Sequence, residues 1–244
     1  LTGSAMATDP TPFYKTFVEM QGVGYVREMD VIVALEYLNE KYPMEPHWAE
    51  KLAQVYFSRG DTKRAFSVLA PFIDTDISRL GGQSMVLAAE AARLDGRLAK
   101  AIGILETAYR LYPDKVSVLN NLVFTLAQDA RTLNRSLALV PKLLELGGKS
   151  PSVLDTVAAV YLKDGDLDLA GKYSEQAFSR LDPMGAVPPE MNLHAAEIML
   201  RAGNPEGARQ KLELIRKTPN VSAATDLRMR ELLAEVENVT GIRK

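Results

Sequence analysis

Pro151-Ser152-Val153-Leu154-Asp155-Thr156-Val157-Ala158, continued by Tyr161, Gly165-Asp166, Ala170, Ala177 and Pro183, is the stretch on which the fold turns. Its core phrase, Gly followed after five residues by Ala, recurs along the chain at Gly60 to Ala65, Gly96 to Ala101 and Gly203 to Ala208. Aligning on the glycines places Tyr56, Ala92, Tyr161 and Met199 four positions upstream, with Ala53, Ala89, Ala158 and Ala196 three residues before those. Units close near Pro113, Pro183 and Pro219. Glycine intervals of 36, 69 and 38 residues give a repeat of about 35, the longest interval holding two units. The unit at 116 to 150 lacks the glycine; there Asn120-Asn121-Leu122 opens a helix and Ser136 takes the place of the small alanine.

Each period reads as a helical hairpin. From Pro46 onward Trp48, Leu52, Val55 and Tyr56 fall at i, i+4, i+7 and i+8, one face of a helix. Gly60 ends it, because glycine accepts the left-handed conformation of a helix C-terminus without a Cβ clash. Asp61 then caps the second helix, as Asp166 and Asn204 do in their own units. That helix carries Ala65, Val68, Leu69 and Phe72 on one stripe. Alanine at the crossing lets the axes approach; a larger side chain would cost about 1–3 kcal/mol by overpacking. One hairpin cannot bury both faces, so neighbours must stack.

The chain is 244 residues long, 47% apolar and 25% charged, the composition of a well-cored protein. A net charge of −2 provides no global field for nucleic acid or for an anionic membrane surface. No run of eighteen residues lacks both charges and turn formers, so membrane insertion is not expected. Zero cysteines exclude disulfides, thiolate metal sites and thiol nucleophiles, and leave cytoplasm and bacterial periplasm equally compatible.

The repeat pattern resembles that of tetratricopeptide-repeat proteins, and Pro151 to Pro183 carries nearly every signature position of that family. Gly82 to Pro113 follows through Ala89, Gly96, Ala101 and Ala108. The expected organisation is a tag or disordered start at 1–9 and a degenerate hairpin at 10–45 with Ala34, Leu35 and Leu38 on its second helix. Five units at 46–221 follow, then a capping helix and tail at 222–244 whose buried face is Leu227, Leu232, Leu233 and Val236. Two places depart from the family pattern: Pro141 inside a second helix, and the long connection from Pro183 to Pro189. Local irregularity is expected at both. The Leu-Asp-Thr style of unit and the Asn-Asn-Leu opening resemble bacterial arrays, including those beside exopolysaccharide secretion and exosortase systems.

The resemblance implies an all-α, right-handed superhelical solenoid whose first helices line a concave groove for a peptide or partner protein, working as a non-enzymatic scaffold. Within that register Gln54, Phe57, Glu90 and Arg93 line the first half of the groove. Asn120, Asn121, Phe124 and Gln128 follow, then Asp155, His194, Glu197 and Arg201. Phe57, Val86, Phe124, Leu162 and Leu193 either pack between units or form a shallow apolar floor. The asparagines and glutamines are expected to hydrogen-bond a ligand backbone. Some family arrays grip the carboxylate tails of heat-shock chaperones with lysine, asparagine and arginine. Here the corresponding places hold Glu50, Gln54, Leu87, Ser117 and Asn121, which cannot neutralise a carboxylate. An alternative to a client-binding scaffold is a self-associating component of a secretion or envelope assembly, paired through Phe13, Tyr14, Phe17 and Tyr25.

Catalytic and cofactor motifs are absent from the sequence. Gly147-Gly148-Lys149-Ser150 resembles the end of a phosphate-binding loop, but Leu143 stands where that motif needs glycine, so it reads as a turn between repeats. His47 and His194 lack metal-ligand spacing. Asp74 and Asp76 read as solvated turn carboxylates. Asn134, Asn220 and Asn238 fit the glycan acceptor pattern by coincidence, with no secretory signal to support them.

Overall fold

The computed structural model describes residues 9–19, 28–183, 185–219 and 221–241. The expected tag and Tyr25 lie outside them. Thirteen α-helices and one 3-10 turn are present among the described residues, with no strand. In chain order the helices are α1 (Thr11–Glu19), α2 (Glu28–Lys41), α3 (Pro46–Ser58), α4 (Thr62–Thr75), α5 (Gly82–Leu94) and α6 (Leu98–Leu111). They continue as α7 (Val116–Leu126), α8 (Leu133–Gly147), α9 (Pro151–Asp164), α10 (Leu167–Ser179), α11 (Pro189–Arg201), α12 (Pro205–Arg216) and α13 (Ala223–Thr240). The chain forms two compact units, 1–104 and 105–244, with the boundary inside α6.

Within the first unit α1 packs on α2, α2 on α3, α3 on α4 and α4 on α5, and α3 also touches α5. Ala34, Leu35 and Leu38 on α2 are fully buried. They share a core with Trp48, Leu52, Val55, Tyr56 and Ala65. Burial, and the hydrogen bond its hydroxyl donates to Glu36, push the Tyr56 phenol up to about 12 against an opposing pull from Arg64.

The second unit repeats the scheme more regularly. Helices α7 and α8, α9 and α10, and α11 and α12 form hairpins, while α7 lies beside α9, α9 beside α11, and α11 beside α13. Each first helix therefore packs on its own partner and on the next first helix, which puts first-helix residues one repeat apart next to each other. Ala158, Ala170, Ala177, Ala196 and Ala208 are buried at the crossings. Ser136 is fully buried too, and its hydroxyl donates to the Val123 carbonyl at 2.7 Å, so serine serves as the small residue and satisfies its own polar atom.

The hairpin turns are built as their residues require. Gly165 has φ +89°, and Gly60, Gly96 and Gly203 also adopt positive φ, in open space. The carboxylates of Asp61 and Asp166 and the amide oxygen of Asn204 accept from the backbone three residues on, at 2.9–3.0 Å. In the unit without the glycine, the Thr132 hydroxyl closes the turn by donating to the Leu126 carbonyl at 2.5 Å. Two expectations need correction. Pro141 does not interrupt α8, which runs unbroken from Leu133 to Gly147. In the cap, Leu227 is 61% exposed rather than buried. The stripe that meets the preceding hairpin is Thr225, Met229, Leu232 and Val236, and Leu227 stands off it at 100° per residue.

Candidate functional site

The expected groove residues lie on first helices in both units, except Gln128, which follows the end of α7, and the two faces differ in character. In the first unit a recess of about 310 Å³ is lined by His47, Glu50, Lys51, Gln54, Gln83, Ser84 and Leu87. Gln54 is exposed. Phe57 packs against the hydrophobic core, as does Leu87. Glu90 and Arg93 satisfy each other, with Arg93 Nε and Nη2 donating to the two carboxylate oxygens at 2.8 and 2.6 Å.

The second unit brings expected residues together from three successive first helices. His194 on α11 shares a hydrogen bond of 2.9 Å with the buried Asp155 on α9. The His194 ring also lies 5.8 Å from the ring of Phe124 on α7. Burial works against a charged imidazole, but the attraction and hydrogen bond of Asp155, aided by Glu197, outweigh burial and the nearby Lys163 and hold the pKa above the ordinary 6.5. The second carboxylate oxygen of Asp155, Oδ1, is buried without a hydrogen-bond partner, as is Oδ1 of Asn120.

One turn further along α11, Glu197 is buried among cations. Arg228 of α13 donates to its Oε1 at 2.8 Å, while Lys163 Nζ and Arg201 Nη2 each lie 4.0 Å from the same oxygen. Arg201 is turned mainly to Glu235, at 3.0 Å. The expected ligand-binding amides are partly committed elsewhere: Asn121 Nδ2 donates to the Ser117 carbonyl at 2.8 Å, and Gln128 Nε2 to the Phe124 carbonyl at 3.1 Å. Val86, Leu162 and Leu193 pack into the cores, which leaves Phe124 as the aromatic of the expected floor that meets the polar cluster.

Sequence reasoning missed Lys163 and Arg228. A signal for Lys163 existed: it stands two residues before Gly165, as Arg201 stands two before Gly203. Arg228 lies on the cap, outside the repeat register. Of the residues expected to pair two chains, Phe13 is 63% exposed, whereas Tyr14 and Phe17 lean against the core of the first unit. Among the described residues no group of three or more His, Cys, Asp or Glu could hold a metal, and no helix is long and apolar enough to cross a membrane. The Gly147–Ser150 segment is the end of α8 and the turn that joins it to α9. A Cβ on Gly147 would come 2.7 Å from Val116, so close packing explains that glycine.

The helical fold is matched in solved structures. A tetratricopeptide repeat protein from Parabacteroides merdae superposes with a TM-score of 0.67 at 14% identity, over 93% of this chain and 86% of that one. The fold is that of a tetratricopeptide-repeat array. A thermophilic protein of this repeat type from Thermus thermophilus gives a TM-score of 0.61 at 15% identity, covering 76% of this chain and 97% of its own. The pilF protein of Pseudomonas aeruginosa gives 0.59 at 20% identity, over 93% and 100% of the two chains. No family model and no curated protein matches the sequence.

Proposed function

We propose that this tetratricopeptide-repeat chain is a non-enzymatic scaffold that holds a segment of a partner protein on the face formed by α7, α9 and α11. The observation that carries this reading is the meeting of Phe124, Asp155 and His194 from three separate hairpins, with a buried carboxylate oxygen still lacking a donor. A buried acceptor without a partner costs about 1–3 kcal/mol, and the fold alone gives no reason for it. A bound segment that displaces the side chains over it and offers N–H donors would remove that cost. The likeness in fold to solved tetratricopeptide-repeat proteins supports a binding face rather than a reaction centre.

The test is a double substitution, Phe124→Ala with Asn121→Ala, in the full chain. A partner captured by the wild type, then purified and titrated directly, should bind the variant at least tenfold more weakly. Helical circular dichroism and Tm should change little. Unaltered affinity for that purified partner would refute the assignment of this face.

A further inference from the structure

Two buried oxygens on neighbouring first helices are acceptors without donors: Oδ1 of Asn120 on α7 and Oδ1 of Asp155 on α9. Asn120 stands four residues before Phe124, so the two share a face of α7. Helix α9 packs beside α7, and His194 of α11 links them. Its Nδ1 lies 2.9 Å from Oδ2 of Asp155, and its ring centre 5.8 Å from that of Phe124. An aromatic ring is thus set beside unfilled acceptors from two hairpins.

The cations of this region are directed elsewhere. Arg228 donates to Glu197 at 2.8 Å, Lys163 lies 4.0 Å from the same carboxylate, and Arg201 is turned to Glu235 at 3.0 Å. Helix α7 carries no charged side chain. Among the described residues, the ionic partner of Asp155 is His194, which is charged only when protonated. Burial opposes that charge; Asp155 and Glu197 favour it, and Lys163 of α9 disfavours it. Arg228 of α13 reaches this set through Glu197, and no group of α10 or α12 is among those acting on the ring. Once His194 is neutral, the Asp155 carboxylate keeps a hydrogen bond but loses its counter-charge.

The missing group must supply more than one N–H, lie flat on a ring and tolerate burial. A main-chain N–H offers one donor, an indole also one, and a lysine ammonium has no flat face. A guanidinium has five donors in a planar fork, stacks on aromatic rings and is more weakly hydrated than an ammonium. We propose that this place is an arginine subsite, in which a guanidinium of the bound segment lies against Phe124 and donates to Oδ1 of Asp155 and Oδ1 of Asn120. The proposal rests on the binding face assigned above and adds its chemical preference. Both oxygens are closed to solvent in the free chain, so the half-buried Phe124 and His194 side chains turn aside as the segment enters.

Three fluorescently labelled heptapeptides with blocked ends test it by anisotropy at low ionic strength. Each has leucines flanking one central residue in an alanine background: arginine in the first, citrulline in the second and lysine in the third. Citrulline keeps the planar shape and loses the charge. The arginine peptide should bind about tenfold more tightly than the citrulline peptide at about pH 8.5, because charge-assisted hydrogen bonds are roughly twice as strong as neutral ones. It should also bind more tightly than the lysine peptide. The preference over citrulline should shrink at about pH 6, where imidazolium and guanidinium compete for one carboxylate, and should stay constant with pH in His194→Gln. Asp155→Asn, with folding checked by circular dichroism, should abolish it. Asn120→Leu should weaken the arginine and citrulline peptides together, as should Phe124→Ala. Equal wild-type affinity for arginine and citrulline, with both sensitive to Phe124→Ala, would overturn the arginine subsite and leave the binding face standing. A preference that survives Asp155→Asn, or lysine binding as tightly as arginine, would also overturn it. Failure of every peptide to bind overturns the subsite alone, since the face stands or falls with the titration of the purified partner.

Discussion

Replacing His194 tests whether the Asp155 pair holds α9 and α11 together. The side chains of His194 and Asp155 are only 18% and 12% exposed, so solvent screens their interaction little. His194→Ala leaves a buried carboxylate with neither oxygen bonded, since Oδ1 is already without a partner. Breaking a buried pair from one side costs about 3–5 kcal/mol. At about 2–4 °C per kcal/mol for a chain of this size, a loss of 3 kcal/mol lowers Tm by about 6–12 °C near neutral pH. His194→Gln keeps a donor and much of the ring volume, so it should cost about 1 kcal/mol there.

The two variants also differ in pH response. The folded pKa of His194 lies above the ordinary 6.5, so the stabilisation from its charge is fully present below about pH 6.5 and is lost as pH rises through the folded value. The Tm deficit of His194→Gln should therefore be widest in mild acid and narrow towards alkaline pH, by about 1 kcal/mol, the difference between charge-assisted and neutral hydrogen bonds. Thermal melts followed by circular dichroism from pH 5.5 to 8.5 provide the measurement. A glutamine variant that parallels wild type throughout, or an alanine variant within about 2 °C of it, would refute the reasoning.

Other substitutions probe the hairpins. Gly165→Ala must adopt the left-handed conformation in open space, so urea denaturation should show a loss of about 1–2 kcal/mol, with Gly165→Asn losing less. Ala158→Leu places a large side chain at a fully buried crossing and should cost about 1–3 kcal/mol or more, visible as an earlier urea midpoint. Ser136→Ala removes the hydroxyl bond to the Val123 carbonyl while keeping the small volume, for a loss of about 1 kcal/mol in the same assay.

The hairpins were legible in the sequence because their determinants are local. A glycine that must turn, an Asp or Asn that caps three residues on, and an alanine that permits close approach each act within one unit. Gly165, Asp166 and Ala170 accordingly do in the structure what their spacing predicts. Leu227 was misread because an apolar residue on a cap helix carries no mark of which face meets the hairpin before it. Only packing chose Met229 and Leu232 instead.

The composition of the candidate site belongs to tertiary structure. Transferring Asp155 by the spacing of Gly165 and Gly203 points to Leu193, yet Leu193 packs into the core and the next residue, His194, reaches the carboxylate. Glu90 and Arg93 line a first helix as expected, but at i,i+3 they close on each other. Arg228 enters from a helix with no repeat register at all. The sequence by itself determined how many residues make a hairpin, where it turns and which small side chains let it close, since these follow from local sterics and helical periodicity. Which polar groups meet across neighbouring first helices, and which are left without partners, depended on how the helices lie against each other, because shifting the register by one residue turns a helix by about 100°.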